Sequence, residues 1–504
     1  MPPVASTRAP ASSPQWLDAA ARELLARRLE EAVRRTRAGA GARRIRRGPH
    51  APLDPADVRC GEALAAVTVS APAGIDPAAV VFASRRPDDP FYALEQPDRD
   101  GTALTALGCV RALEASGPDR FETVAGAWQA LAADAVADPP DGPAGSGLVA
   151  VGGFAFSPRG GESPNWSGFA PASLHVPEIA FARRGGDLRL TVAALATPDD
   201  DPAQLLARIE ARLDSLVPAG DLPLLDPAPA GRYRVASAMP PEHYEGAVAR
   251  AVEKIEAGDV EKVVLAREVQ VHAPVAHDPG AVFGALRAGF PGCFVYAVGR
   301  GEATFIGATP ELLVRRDGER ASTVALAGST RRSADPSVDD HLGEALLRSD
   351  KNRGEQAIVT RRIARALRPH SLWVTAAPEP VVVRVANIQH LATPIRAQLK
   401  RPLAATALVD VLHPTPAVGG EPFEQAERLI PQLEGFDRGW YAGPVGWTDT
   451  SGDGEFCVAL RCALLRGSVA HCYAGVGVVR DSDPAAELAE TEVKLQALLP
   501  VLAG

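Results

Sequence analysis

The spacing of apolar residues changes along the chain, and each change marks an element. Between residues 15 and 37, Leu17, Leu24, Leu25 and Leu29 recur on one broad face of a 3.6-residue repeat, which predicts an amphipathic helix. Residues 1–14, before it, are small and Pro-rich and are expected to be disordered. From 60 to 230, short strand-like runs alternate with a few helical patterns. Residues 147–156 read as an apolar strand, and residues 178–195 as a hairpin turned at Arg184-Gly185-Gly186. Helices are expected over 119–135 and 202–216. The run Asp138-Pro139-Pro140-Asp141-Gly142-Pro143 is a loop, and 222–231 reads as a linker between two halves.

The second half is patterned more sharply. A helix over 241–257 ends at Gly258, and a strand follows at 262–272. Residues 303–326 read as one hairpin around Asp317-Gly318, and 339–368 as one helix. Two strands are expected in 378–398 and a helix over 421–433. Strands at 443–449, 455–465 and 469–479 precede a last helix at 483–499. Strands bunched together with helices interspersed argue an α+β fold with antiparallel sheets, and no short-period repeat is visible.

Composition narrows the setting. The 504 residues are 46% hydrophobic and 23% charged, as in an ordinary globular protein, with room for two average domains or one large one. A net charge of -9 gives no nucleic-acid footprint, so an anionic ligand would need a local cationic pocket or a metal. Six cysteines without a CxxC pair fit a reduced, cytoplasmic setting. No run of about 18 apolar residues predicts a membrane span, and no signal-peptide core opens the chain. Arg43, Arg44, Arg46 and Arg47 form a basic patch that reads most simply as a solvated linker.

Five local signals could carry chemistry. Glu487, Glu490 and Lys494 share a face of the last helix, with Leu488, Leu495 and Leu499 on a separate apolar stripe. From spacing alone that face reads most simply as a solvated, salt-bridged surface; its two carboxylates could instead hold a Mg²⁺. In Ser349-Asp350-Lys351-Asn352-Arg353-Gly354-Glu355-Gln356, Asn352 and Glu355 have capping-box spacing, while Glu355 could also be a second metal ligand. Thr309-Pro310-Glu311 can open a helical turn, or present Glu311 as a general acid. Lys262 starts a strand, where lysine is usually exposed; in a dry pocket it could act as a base. Arg461 interrupts an apolar strand, so it faces water or a partner such as a carboxylate. Finally, the run His413-Pro414-Thr415-Pro416-Ala417-Val418-Gly419-Gly420 cannot sit within an ordinary helix or central strand, and such a stretch often walls a ligand.

Together these segments resemble the chorismate-binding enzymes. The likeness runs from Lys262 to Lys494 through KVVLAR, FIGATPELL, LAGS, SDKNRGEQ, QHLATPI, HPTPAVGG, RGWYAGPVG, VALR, YAGVG and ETEVK, and is weaker upstream at Val151-Gly152-Gly153-Phe154-Ala155-Phe156. The lysine opening KVVLAR and the HPTPAVGG segment are similar to the water-adding branch, the isochorismate synthases. Salicylate synthases, which go on to eliminate pyruvate, are the alternative, and a non-catalytic chorismate-binding protein is a remoter one.

The resemblance implies one large α+β fold, two pseudo-repeated α/β halves with stacked antiparallel sheets and helices outside. Residues 1–55 would be an N-terminal extension, 56–230 the first half and 231–504 the half carrying the motifs. It also implies a Mg²⁺-dependent conversion of chorismate to isochorismate, for menaquinone or siderophore biosynthesis. Lys262 would be the general base and Glu311 the general acid. Glu355 and Glu490 would bind the metal, with Glu487 acting through water. Gly328, Ser329, Tyr441, Arg461, Gly475 and Lys494 would contact substrate; His390 is also in a family motif but fits a structural role at least as well, and His413 reads as structural. Leu488, Val476 and Gln356 depart from the family's usual residues beside this site. Chorismate is the one partner implied, and the oligomeric state stays open.

Overall fold

The computed structural model describes residues 15–40, 61–72, 74–226, 231–386 and 388–503. The expectations for residues 1–14, the basic patch at Arg43 to Arg47, Cys60 and part of the 222–231 linker lie outside these residues.

The described strands, in chain order, begin with β1 (Ala63–Ser70), β2 (Phe91–Gln96), β3 (Thr102–Leu107), β4 (Arg111–Ala115), β5 (Val149–Phe154), β6 (Ala172–Val176), β7 (Ile179–Arg184) and β8 (Asp187–Ala196). Next come β9 (Arg234–Ser237), β10 (Lys262–His272), β11 (Phe294–Arg300), β12 (Ala303–Thr309), β13 (Leu312–Asp317), β14 (Arg320–Arg331), β15 (Ser371–Ala376), β16 (Val381–Arg384) and β17 (Ile388–Leu399). The last are β18 (Gly420–Glu421), β19 (Pro444–Asp449), β20 (Gly454–Val458), β21 (Cys462–Arg466) and β22 (Val469–Val478).

They form two antiparallel sheets. The first has the order β1-β8-β7-β3-β2-β11-β12-β21-β22-β10-β18, with β9 on β10. The second has the order β15-β17-β14-β13-β20-β19-β5-β6-β4, with β16 on β17. Early and late strands meet in both sheets, at β2–β11 and at β5–β19. The inner faces of the sheets share one apolar core, in which Tyr296 and Phe305 of the first sheet meet Val151, Phe154 and Phe456 of the second. The outer face of the first sheet is covered by helices. The helix Ala19–Ala40 puts Leu25 and Leu29 there, on the face that its sequence predicts. The α+β expectation and the stacked sheets therefore describe the molecule.

Several element boundaries differ from the sequence reading, and two of the differences build the site. Residues 303–326 are not one hairpin. β12 pairs with β11 and β21 in the first sheet, whereas β13 pairs with β14 and β20 in the second. The chain changes sheet at Thr309-Pro310-Glu311, where Pro310 lacks the N–H needed to continue a ladder. This is a strand crossing, not a helical turn. It crosses back within the expected strand 455–465, between β20 and β21, where Arg461 has φ +47°. The two crossings are bonded to each other: Ala308 N–H donates to Arg461 O (3.2 Å) and Val458 N–H to Glu311 O (3.0 Å). The expected helix 339–368 is two helices, Pro336–Arg348 and Asp350–Leu367, broken at Ser349. Ser349, not Asn352, caps the second helix, its hydroxyl accepting from Asn352 N–H at 3.3 Å, so Glu355 is not part of a capping box.

Candidate active site

A cavity opens beside the two crossings. Glu311, Gly328, Ser329, Glu355, Tyr441, Arg461, Gly475, Glu487, Glu490 and Lys494 all line it. Lys262 lies just behind the wall, with its Nζ 2.7 Å from Glu355 Oε1. These residues come from two strand crossings, from β10, β14 and β22, from the turn before β19, and from the helices Asp350–Leu367 and Pro484–Leu495.

Lys262 is fully buried, against the usual expectation for a strand start. The reason is that β18 continues the sheet past it, pairing Lys262 with Glu421. Its approach to Glu355 is close, but the angle is not that of a hydrogen bond, and Nζ has no hydrogen-bond partner among the described residues. We read this as an ion pair that leaves the lysine N–H directions uncommitted. The space for both groups comes from Gly477 on β22. A Cβ there would fall 2.5 Å from Glu355 Oε1 and 2.7 Å from Lys262 Cε.

The other carboxylates follow the same pattern. Glu487 Oε1 is 2.9 Å from Lys351 Nζ, and Glu490 Oε1 is 2.9 Å from Lys494 Nζ. Each of the three glutamates therefore has its own lysine. Glu490 also accepts from Ser329 Oγ at 2.6 Å. Burial raises its pKa, but Lys494 and the Ser329 hydrogen bond lower it further, so it stays ionised. Lys351 carried no role in the sequence reading; its place in the SDKNRGEQ motif was the available signal.

Glu311 behaves oppositely. It is buried and has no lysine at contact distance among the described residues. Burial pushes its carboxyl up to about 7, against the opposing pull of Lys262, Lys494 and Arg461. It can therefore hold a proton near neutral pH. Arg461, on the return crossing, donates through Nη2 to His390 Nε2 at 2.5 Å, while its Nη1 is buried without a partner. Burial lowers its pKa to about 10, which leaves it charged. Burial, then Arg461, hold His390 well below the usual imidazole range, so it is a neutral acceptor. An unpartnered buried guanidinium N–H is costly. Beside a cavity it marks where an anionic acceptor would sit.

The Pro/Gly segment forms part of the wall. Ala417 and Val418 line the cavity, and His413-Pro414 and Glu421-Pro422 are cis. A buried pair holds this wall in place. Arg438 Nη1 donates to Val418 O (2.8 Å), Nη2 to Val264 O (2.9 Å), and Nε to Glu434 Oε2 (2.9 Å). Glu434 in turn accepts from Ala266 N–H at 2.6 Å. His413 donates from Nε2 to Phe156 O at 3.0 Å and packs edge-on to Phe156, a structural role. Gln356 ties its helix to β14 and β17, donating to Ala325 O and Thr393 Oγ1, both at 2.9 Å.

No cluster of three His, Cys, Asp or Glu residues able to hold a metal is present among the described residues. No described helix is long and apolar enough to cross a membrane. What the cavity offers a cation is carboxylate oxygen from Glu355 and Glu490, with Glu487 beside them. Such a hard donor set suits a hard divalent ion that keeps waters or takes ligand oxygens, as Mg²⁺ does with one or two protein carboxylates.

Known proteins resemble this chain over most of its length. The profile of the family described as chorismate binding enzyme matches residues 56–503. The salicylate biosynthesis isochorismate synthase of Pseudomonas aeruginosa is 40% identical over 431 residues, 85% of this chain and 88% of that one. The isochorismate synthase MenF of Bacillus subtilis is 34% identical over 361 residues, 71% of this chain and 75% of that one. The solved structure of the menaquinone-specific isochorismate synthase from Escherichia coli superposes with a TM-score of 0.72 at 25% identity, covering 95% of this chain and all of that one.

Proposed function

The chain belongs to the chorismate-binding enzymes, and from that premise we propose that it is an isochorismate synthase. It adds water at ring C2 of chorismate and expels the C4 hydroxyl as the double bonds shift. The observation that carries this reading is the presence, at one cavity, of a buried carboxyl that keeps its proton and, just behind the wall, of a buried lysine whose Nζ has no hydrogen-bond partner among the described residues. Water is a poor nucleophile and hydroxide a poor leaving group, so the exchange needs a base and an acid at different points of the ring. Lys262, which must be the neutral amine for this step, takes the proton from the attacking water, and Glu311 gives its proton to the departing hydroxyl.

Charge explains the rest of the site. With Lys262 needed as the neutral amine and Glu311 holding its proton, Lys351, Lys494 and Arg461 stand against the three carboxylates of Glu355, Glu487 and Glu490. These charges cancel, which leaves no net positive charge for a dianion. A divalent cation held by Glu355 and Glu490, with Glu487 acting through water, makes up the difference, and we assign it as Mg²⁺. When bound, this ion supplies positive charge that anchors the ring carboxylate and draws electron density from the diene. Arg461 Nη1 takes the other carboxylate, and His390 fixes the guanidinium for it. Gly328, Ser329, Tyr441, Gly475 and Lys494 complete the substrate's surroundings.

The test is direct. Purified protein with chorismate and Mg²⁺ is expected to yield isochorismate without pyruvate. Pyruvate release would assign a salicylate synthase, and anthranilate formation with ammonia would overturn both readings. Lys262→Ala is expected to bind chorismate without turning it over; retained turnover would remove Lys262 from the base role.

A further inference from the structure

A second cavity lies on the outer face of the first sheet, under the helix Pro202–Asp214, and shares no residue with the active site. The floor is apolar, with Val192 and Ile179 from the sheet and Ile209 from the helix. Three arginines line it: Arg86, Arg208 and Arg212.

Arg212 is a buried residue at 6% exposure. Its Nη2 is 2.5 Å from Asp89 Oδ2 and its Nε 3.4 Å from Glu178 Oε2, but Nη1 is buried without a hydrogen-bond partner among the described residues. Glu178 also lines the cavity. Gly108 makes room for it, since a Cβ at that position would sit 2.4 Å from Glu178 Oε2. Arg86 reaches only Ser215 Oγ, at 3.2 Å, through its side chain. Arg208 is exposed and makes no side-chain hydrogen bond or close ion pair among the described residues.

The three guanidinium groups therefore exceed the two carboxylates, Asp89 and Glu178, by one charge. An orphan N–H on a buried arginine needs an acceptor, and the excess charge calls for a monoanion. The apolar floor calls for a hydrocarbon body attached to it. We propose that this cavity binds a small monocarboxylate with an apolar ring or chain, its carboxylate between Arg212, Arg208 and Arg86 and its body over Ile209 and Val192. The inference does not depend on the reaction assigned to the active site.

Equilibrium dialysis of the full chain with radiolabelled benzoate tests it. Saturable binding of one equivalent is expected, with neutral benzamide failing to compete. The double variant R86Q/R208Q changes two exposed side chains outside the catalytic cavity, so its fold and basal turnover are expected to hold. Its benzoate affinity should fall about tenfold, as loss of a charge-assisted contact implies. Arg461→Gln, in the catalytic cavity, should bind benzoate as the wild type does. Absence of saturable binding at millimolar benzoate, unchanged affinity in R86Q/R208Q, or loss of binding in Arg461→Gln would each overturn the proposal.

Discussion

Gly477→Ala puts the site geometry to its sharpest test, because one methyl group reaches both Lys262 and Glu355. The added carbon would sit 2.5 Å from Glu355 Oε1 and 2.7 Å from Lys262 Cε, where ordinary contact begins at 3.4 Å. The two side chains must therefore retreat by roughly 1 Å, since neither can interpenetrate the methyl. The backbone itself has no objection. Gly477 lies within β22, paired with Val264, and is absent from the positive-φ glycines. A shift of about 1 Å in a reacting group costs on the order of 100-fold in rate. Overpacking of this kind costs about 1–3 kcal/mol of stability, which should leave the protein folded at 25 °C. We expect kcat/KM for chorismate to fall about 100-fold, with an unchanged far-ultraviolet circular dichroism spectrum and a modestly lower Tm. Gly467→Ala is not a neutral comparison, because Gly467 has φ +56°; Gly289, with open space around its Cβ position, is the suitable control. Activity of Gly477→Ala within threefold of wild type would refute the roles of Lys262 as base and Glu355 as cation ligand in this geometry.

Three further outcomes follow from the same structure. Glu311 has a folded pKa of about 7, above its ordinary 4.5, so its protonated form stabilises the fold below pH 4.5 and that contribution is lost as pH rises through about 7. Glu311→Gln should therefore gain stability relative to wild type between pH 4.5 and 7, by about 3 kcal/mol in denaturant titrations, while losing turnover; wild-type kcat/KM should decline above pH 7, and a flat profile would contradict the acid role. Arg438→Met strands the Glu434 carboxylate in the core and frees the Val418 carbonyl, so a loss of about 3–5 kcal/mol is expected by urea unfolding. His390→Ala removes the acceptor that fixes Arg461, and should weaken chorismate binding about tenfold, mainly through KM; an unchanged KM would show that Arg461 needs no such support.

The sequence by itself settled which chemistry is on hand. The apolar, β-branched run at 262–272, between Gly258 and Pro274, matches β10 to the residue. The repeat in 483–499 puts Glu487, Glu490 and Lys494 on one face, as helix geometry requires. What periodicity cannot carry is where a strand leaves one sheet for another, since both sheets demand the same alternation. Hence 303–326 and 455–465 read as unbroken, although their crossings are what place Glu311 and Arg461 in the cavity. Pairing of charges is likewise a tertiary fact. Lys262 and Glu355 lie on different elements, and their contact depends on a missing side chain at Gly477, on a third. The burial that lifts Glu311 to about 7 also belongs to no single segment, because it is the exclusion of water by two stacked sheets that makes ionisation costly there.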